Sequence, residues 1–305
     1  MHSARPSTFI RRFVVRFFEY YAPKTLDEAI QLLVRHGEGA YPLAGGTDLV
    51  TKARYGHLRP RVIVNLKRIP GLNDIAPEED GGLRLGALVT LAEIARSLLM
   101  GERYPLLAQT ARKMGSVLIR NLATVGGNLC NAAPSADMAP PLIALGAEAV
   151  IVGPRGERRV RLEKFFHGPG QTELRHGELL TAIRLPPPRP RTRGVYLKHI
   201  YRQAMDIAIV GVAVLLQFDE QEAIAEDARI VLGAVAPTPL RVPEAESVLI
   251  GAPLTEDRRL EAARRAARAA RPIDDTYSSA WYRREMVGVL TRRALEHLVS
   301  HSPER

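Results

Sequence analysis

Two short glycine-bearing segments constrain this chain more than anything else in it. One runs Pro42-Leu43-Ala44-Gly45-Gly46-Thr47-Asp48-Leu49. The other lies within Ile119–Pro140 and reads Thr124-Val125-Gly126-Gly127-Asn128, with an acid, Asp137, a short way on. Glycine lacks a Cβ and tolerates positive φ, so it lets backbone come close to a bulky group. Successive N–H groups in such turns form a concave anion site. Thr47, Thr124 and Asn128 add side-chain donors. Asp48 is unsuited to a phosphate and fits a role in holding its own loop or taking a sugar hydroxyl. The two segments together point to one phosphate-containing cofactor held between them. Neither is a dinucleotide-fold fingerprint, because no G-x-G-x-x-G follows a strand and opens a helix. Each Gly pair alone reads more often as an ordinary turn, and only the two together bring the cofactor reading level with it.

Composition narrows the class. The chain has 305 residues, 46% hydrophobic and 25% charged, which suits two or three globular domains. No apolar run reaches the ~20 residues of a membrane helix. The net charge of +10 is diffuse: residues 1–75 carry 12 basic and 6 acidic side chains, 76–190 carry 14 and 11, and 191–305 carry 17 and 16. No basic stripe alternates with aromatics, so nucleic-acid binding is not expected. A single cysteine, Cys130, excludes an internal disulfide and a cysteine-ligated iron–sulfur cluster. The histidines give little support to a zinc site. The basic stretch 1–17 is expected to be a disordered extension or a misassigned start.

Periodicity gives the layout. Thr25 caps a helix that Gly37 ends. Strands at Ala40–Leu43 and Arg61–Leu66 suit a βαβ unit. Residues 18–76 therefore form a first α/β lobe, and 77–188 a second. In the second lobe a turn at Pro77–Gly82 precedes a strand at Leu83–Val89. Helices follow at Leu91–Leu99, Pro105–Met114 and Ala136–Leu145, then strands at Ala147–Val152, Arg158–Leu162 and Glu178–Leu185. A proline-rich linker, Pro186–Pro190, leads into 189–305. There, strands at Val195–Ile200, Ile209–Phe218 and Arg229–Val235 read as an antiparallel meander, followed by helices near Pro243–Leu249, Thr255–Ala270 and Ser278–Leu298.

Read as a pattern, the residues carry a stronger message. A-G-G-T-D-L at 44–49, I-R-N-L-A-T-V-G-G-N at 119–128, A-P-S-A-D at 133–137, F-F-H-G-P-G-Q-T at 165–172, E-L-L-T-A-I-R-L-P at 178–186 and Y-L-K-H-I-Y-R-Q-A-M-D-I-A at 196–208 occur in order. This set resembles the FAD-binding (medium) subunit of the molybdenum hydroxylases, of the xanthine dehydrogenase and aerobic carbon monoxide dehydrogenase type. The resemblance implies an α+β fold: a two-lobed, PCMH-type (vanillyl-alcohol-oxidase-like) FAD-binding domain, then a C-terminal domain of a three-stranded antiparallel sheet with helices.

It further implies that Pro42–Leu49 wraps the pyrophosphate of a noncovalent FAD, with Gly45, Gly46 and Thr47 closest, and that Thr124–Asn128 forms the second wall. Asp137 would hold ribityl hydroxyls, Leu180 would pack on the isoalloxazine, and Lys198 would sit at its pyrimidine edge. Arg202 and Asp206 read as a structural ion pair, and Tyr201 and Trp281 as packing residues. No residue is expected to be catalytic. Partners implied are a large subunit with a molybdenum cofactor and a small one with two-iron–two-sulfur clusters, in a cytoplasmic dimer of heterotrimers. The acceptor would be NAD, oxygen or another oxidant. The first segment departs from the G-G-H-S of carbon monoxide dehydrogenases, which argues against carbon monoxide as the complex's substrate; a heterocycle or aldehyde is expected. The alternative is a stand-alone FAD-dependent oxidase or dehydrogenase of the same fold.

Overall fold

Local capping explains where the first elements begin and end. The computed structural model describes residues 17–202 and 205–300, so the N-terminal extension falls almost wholly outside them. A short strand β1 (Glu19–Tyr21) is followed by helix α1 (Leu26–His36). Thr25 Oγ1 accepts from the Glu28 N–H, and Gly37 ends the helix with φ +62°. Ile30 and Leu33 are buried as expected, whereas Val34 on the same stripe is exposed. Strand β2 (Ala40–Leu43), helix α2 (Leu49–Arg54) and strand β3 (Val62–Asn65) form the expected βαβ unit. The strands are parallel, in the order β1-β3-β2.

The second lobe is a five-stranded antiparallel sheet. It begins with the hairpin β4 (Ile75–Pro77) and β5 (Leu83–Gly86) around the predicted turn. Five helices and then a sixth intervene before the sheet resumes: α3 (Leu91–Arg96), α4 (Leu98–Arg103), α5 (Pro105–Lys113), α6 (Val117–Leu122), α7 (Val125–Asn131) and α8 (Ala139–Ala144). Strands β6 (Glu148–Gly153) and β7 (Gly156–Arg161) come next. A small hairpin, β8 (Phe166–Gly168) with β9 (Gln171–Thr172), precedes β10 (Leu179–Leu185). The order is β4-β5-β10-β6-β7, so the last strand enters the middle of the sheet. All but one of β10's residues are buried, as a central strand requires.

One expected helix divides. Ser97 stands where Leu91–Leu99 was read as continuous; it ends α3 in extended backbone, and its hydroxyl accepts from the Met100 N–H to begin α4. Two helices, α6 and α7, occupy a stretch read as a glycine loop.

Past the proline linker, β11 (Thr192–His199), β12 (Val210–Phe218) and β13 (Ala225–Gly233) make the expected meander. A two-residue strand, β14 (Leu240–Arg241), adds a fourth member. Helices α9 (Pro243–Glu246), α10 (Glu256–Ala269) and α11 (Ala280–Ser300) follow, and α10 and α11 pack together with α11 on β11 and β12. Helix α8 packs on the other side, against β12 and β13, where Gly233 leaves room for Pro140. Tyr196, Ala213 and Val231 of this sheet join the second lobe's core, so the two regions share buried apolar surface. Among the described residues no helix is long and apolar enough to cross a membrane.

Candidate functional site

The two glycine segments meet. A Cβ built on Gly45 would stand 1.9 Å from the Leu122 carbonyl oxygen and 3.1 Å from the Ala123 Cα. Only glycine permits this approach of the β2–α2 loop to the chain just before Thr124. Gly46 beside it has φ +80°, a conformation that favours glycine. A side-chain relay tightens the junction: Lys52 Nζ donates to Asn131 Oδ1 at 2.6 Å, and Asn131 Nδ2 donates to Asp48 Oδ1 at 3.0 Å. Asp48 therefore holds its loop to α7.

Within the first loop the N–H groups of Gly45, Gly46, Thr47 and Asp48 donate to no group among the described residues. Backbone N–H groups seldom stay unpaired except where water or a ligand takes them. The loop is half-exposed, and four consecutive donors, free of side chains at Gly45 and Gly46, are the kind of N–H run that anions take.

The second segment is built differently from the sequence reading. It is no nest of free donors but the start of a helix. Thr124, itself 5% exposed, caps α7 by accepting the Gly127 N–H at 3.0 Å. The Val125, Gly126 and Asn128 N–H groups donate to Val89 O, Ala87 O and Thr124 O. Gly126 is needed for packing: a Cβ there would lie 2.6 Å from Ala87. Asn128 Oδ1 accepts from the Met138 N–H at 3.4 Å. The N–H groups of Val125–Asn128 are thus all paired, and the unpaired ones lie on the first loop.

Asp137 and Lys198, expected to act separately, are partners. Lys198 Nζ donates to Asp137 Oδ2 at 2.8 Å and to the Asp206 carbonyl oxygen at 2.9 Å. Tyr196 Oη donates to Asp137 Oδ1 at 2.8 Å. Tyr196 and Lys198 lie two apart on β11 and so share a face. Burial first, then the Asp137 carboxylate, push the Tyr196 phenol well above its ordinary pKa, so it stays a donor. Gly211, paired with Lys198 across the sheet, clears the space that Tyr196 Oη fills: a Cβ there would come within 2.4 Å of it. Sequence reasoning passed over Tyr196, Gly211, Asn131 and Lys52. The period-two spacing of Tyr196 and Lys198 was the one signal that could have found the first of them.

Leu180 is 5% exposed and sits beside a register shift in β10. Arg202 and Asp206 pair at 3.6 Å, and Asp206 also accepts from the Tyr201, Arg202 and Ile207 N–H groups. These bonds, the Arg202 N–H first, hold its carboxyl below the usual range. Tyr201 and Trp281, read as packing residues, are instead exposed. Burial pushes the Cys130 thiol up to about 12. Among the described residues no three His, Cys, Asp or Glu side chains are grouped to hold a metal ion.

Residues 16–188 match the family described as "FAD binding domain in molybdopterin dehydrogenase", and residues 195–298 match the "CO dehydrogenase flavoprotein C-terminal domain". The chain is 32% identical to the xanthine dehydrogenase FAD-binding subunit of Escherichia coli O157:H7 over 285 residues, 93% of this chain and 97% of that one. It is 34% identical to the carbon monoxide dehydrogenase medium chain of Afipia carboxidovorans over 279 residues, 92% of this chain and 96% of that one. Among solved structures, a chain of carbon monoxide dehydrogenase from Hydrogenophaga pseudoflava superposes with a TM-score of 0.91 at 32% identity, covering 94% of this chain and 99% of the other.

Proposed function

The chain belongs to the family of FAD-binding medium subunits of the molybdenum hydroxylases, and from that membership we propose that it is the electron-transfer flavoprotein of a cytoplasmic multisubunit dehydrogenase. The observation that carries the reading is the unpartnered run of N–H groups at Gly45–Asp48, set against the wall that begins at Leu122. The residues fit an FAD: a donor-rich turn without side-chain bulk, a facing wall of small residues, and a buried polar cluster beyond them.

In this reading Gly45, Gly46, Thr47 and Asp48 hold the diphosphate through backbone donors, while Pro42, Leu43, Ala44 and Leu49 fix the turn between β2 and α2. Thr124, Val125, Gly126, Gly127 and Asn128 exclude water on the opposite side. Asp137 orients Lys198 and Tyr196, and the lysine would supply positive charge to a bound flavin ring. Leu180 supplies an apolar contact for the ring. The FAD is held without a covalent bond, as the family resemblance implies. A bound flavin would supply the exchange between single electrons from a partner's iron–sulfur clusters and electron pairs for NAD, oxygen or another acceptor. With one cysteine the chain has no cluster of its own, which supports a small iron–sulfur partner and a large molybdenum-cofactor partner, joined as a dimer of heterotrimers.

The test is the colour of the purified full chain. It should be yellow and carry about one FAD per chain, and reduction by its own iron–sulfur partner should bleach it. A folded, colourless chain that takes up no FAD would sink the reading. Turnover of a small substrate by the isolated chain would favour the stand-alone oxidase instead.

A further inference from the structure

A cavity of about 440 Å³ lies where the FAD-binding region meets the C-terminal sheet, roofed by the linker prolines Pro186–Pro188. It is separate from the flavin site. Strand β11 borders both, but Arg193 faces the cavity region five residues from Lys198, a distance of about 16 Å along a strand.

Six arginines and three carboxylates line it. Their pairing leaves positive charge over. Asp227 is shared by Arg189 at 3.1 Å and Arg229 at 3.6 Å, and Arg193 takes Glu222. Among the described residues neither Arg161 nor Arg191 meets a carboxylate. Arg229 is the focus. Gly146, with φ +75°, leaves the space its guanidinium occupies; a Cβ there would fall 2.7 Å from an Arg229 nitrogen. One terminal nitrogen donates to the Ala144 carbonyl oxygen at 3.1 Å, while its Nε is buried without a partner. Burial first, with Arg241 and Arg189 adding to it against the pull of Asp227, holds its pKa below the ordinary arginine value. Arg191 and Glu222, both lining residues, have positive φ of 53° and 54°, and such backbone gathers at ligand sites. Leu145 and Leu215 give the remaining wall an apolar character.

We propose that this cavity binds a small phosphate-bearing organic anion of nucleotide size. Its charged end is taken by Arg229, Arg161 and Arg191, and its flat body lies against Leu145, Leu215 and the prolines. Guanidinium groups suit phosphate because they donate two parallel N–H bonds, and the volume falls in the range of small-molecule sites. Such a ligand bridges the FAD-binding region and the C-terminal domain.

The test is calorimetric titration of ADP into the full chain saturated with FAD, with absorbance at 450 nm followed in parallel. Saturable ADP binding with no loss of flavin absorbance is expected. Arg229→Gln should weaken it about tenfold or more, as loss of a charge-assisted hydrogen bond does. Arg161→Gln, an exposed position, should weaken it as well, and covers the case in which Arg229→Gln fails to fold. Absent ADP binding, or binding unchanged in both folded variants, would overturn the proposal. Inorganic pyrophosphate binding as tightly as ADP would remove the organic body from it. ADP bound by the free chain but excluded from the assembled complex would assign the cavity to an acidic segment of a partner. Flavin content reports on the flavin site independently throughout.

Discussion

At the scale of single residues, the glycines divide by what a methyl group would strike. Gly45→Ala places a Cβ inside the Leu122 carbonyl, and the loops must part. Overpacking of this kind costs about 1–3 kcal/mol. The variant should lose melting temperature and most of its bound flavin, read as the 450 nm to 280 nm absorbance ratio. Gly101→Ala is the counterpart: within α4 nothing lies within 4 Å of its added Cβ. It should gain about 0.5–1 kcal/mol in urea unfolding. The Asp137–Lys198 pair has side chains 9% and 11% exposed. Asp137→Asn strands the ammonium and should cost about 3 kcal/mol. Adding Lys198→Met should recover part of that loss, and a double-mutant cycle showing no coupling would remove the pair from the site's architecture.

At the scale of elements, caps and clasps set where the walls stand. Thr124→Ala deletes the side-chain cap of α7, leaves the Gly127 N–H unpaired, and should cost about 1–2 kcal/mol. Flavin affinity should fall with it, because the same helix forms the wall. Unaltered affinity would show that the wall contributes nothing to binding. A second clasp joins β7 to the turn before β10. Arg158 donates to Glu178 at 2.7 Å and to the Glu173 carbonyl oxygen at 2.8 Å. The bond from Arg158, more than any other group, holds the Glu178 carboxyl below its ordinary range. A depressed carboxylate stabilises the fold above its unfolded pKa of ~4.3 and loses that contribution as acid carries the pH down through the folded value. Stability should therefore decline below about pH 4.3, and Glu178→Gln should flatten that part of the curve while lowering stability at neutral pH.

For the whole molecule, the proposed site makes the cofactor a link between regions. The first loop belongs to the parallel sheet, the wall to the helices between β5 and β6, and the polar cluster to Asp137 and β11. A ligand that binds only the folded state stabilises it by mass action, about 2.7 kcal/mol at a hundredfold excess over Kd. Stripping FAD should lower the melting temperature, and adding it back should restore it in a concentration-dependent way. A melting temperature indifferent to FAD would mean that the three regions do not share it.

Much of this was legible in the chain. Thr25 and Gly37 bracket α1 by capping chemistry, the Ala40–Leu43 strand and its parallel partner follow from the spacing of a βαβ unit, and the linker prolines mark the passage into the meander. Gly45 and Gly46 were legible as candidates from the glycine pair itself, whereas Asp137 and Lys198 took their roles from the family resemblance, since Lys198 alone reads as a surface lysine. What local signals could not carry was partnership. Thr124–Asn128 reads as a loop, yet it becomes a helix because Ala87 and Val89 take its first N–H groups. Leu91–Leu99 breaks at Ser97, whose hydroxyl competes for the backbone. Asp137 finds Lys198 and Tyr196 across some sixty residues of chain. Residue chemistry and short-range periodicity are written along the sequence. Which donors stay free, and which charges are already spoken for, is decided only when distant segments pack and exclude water.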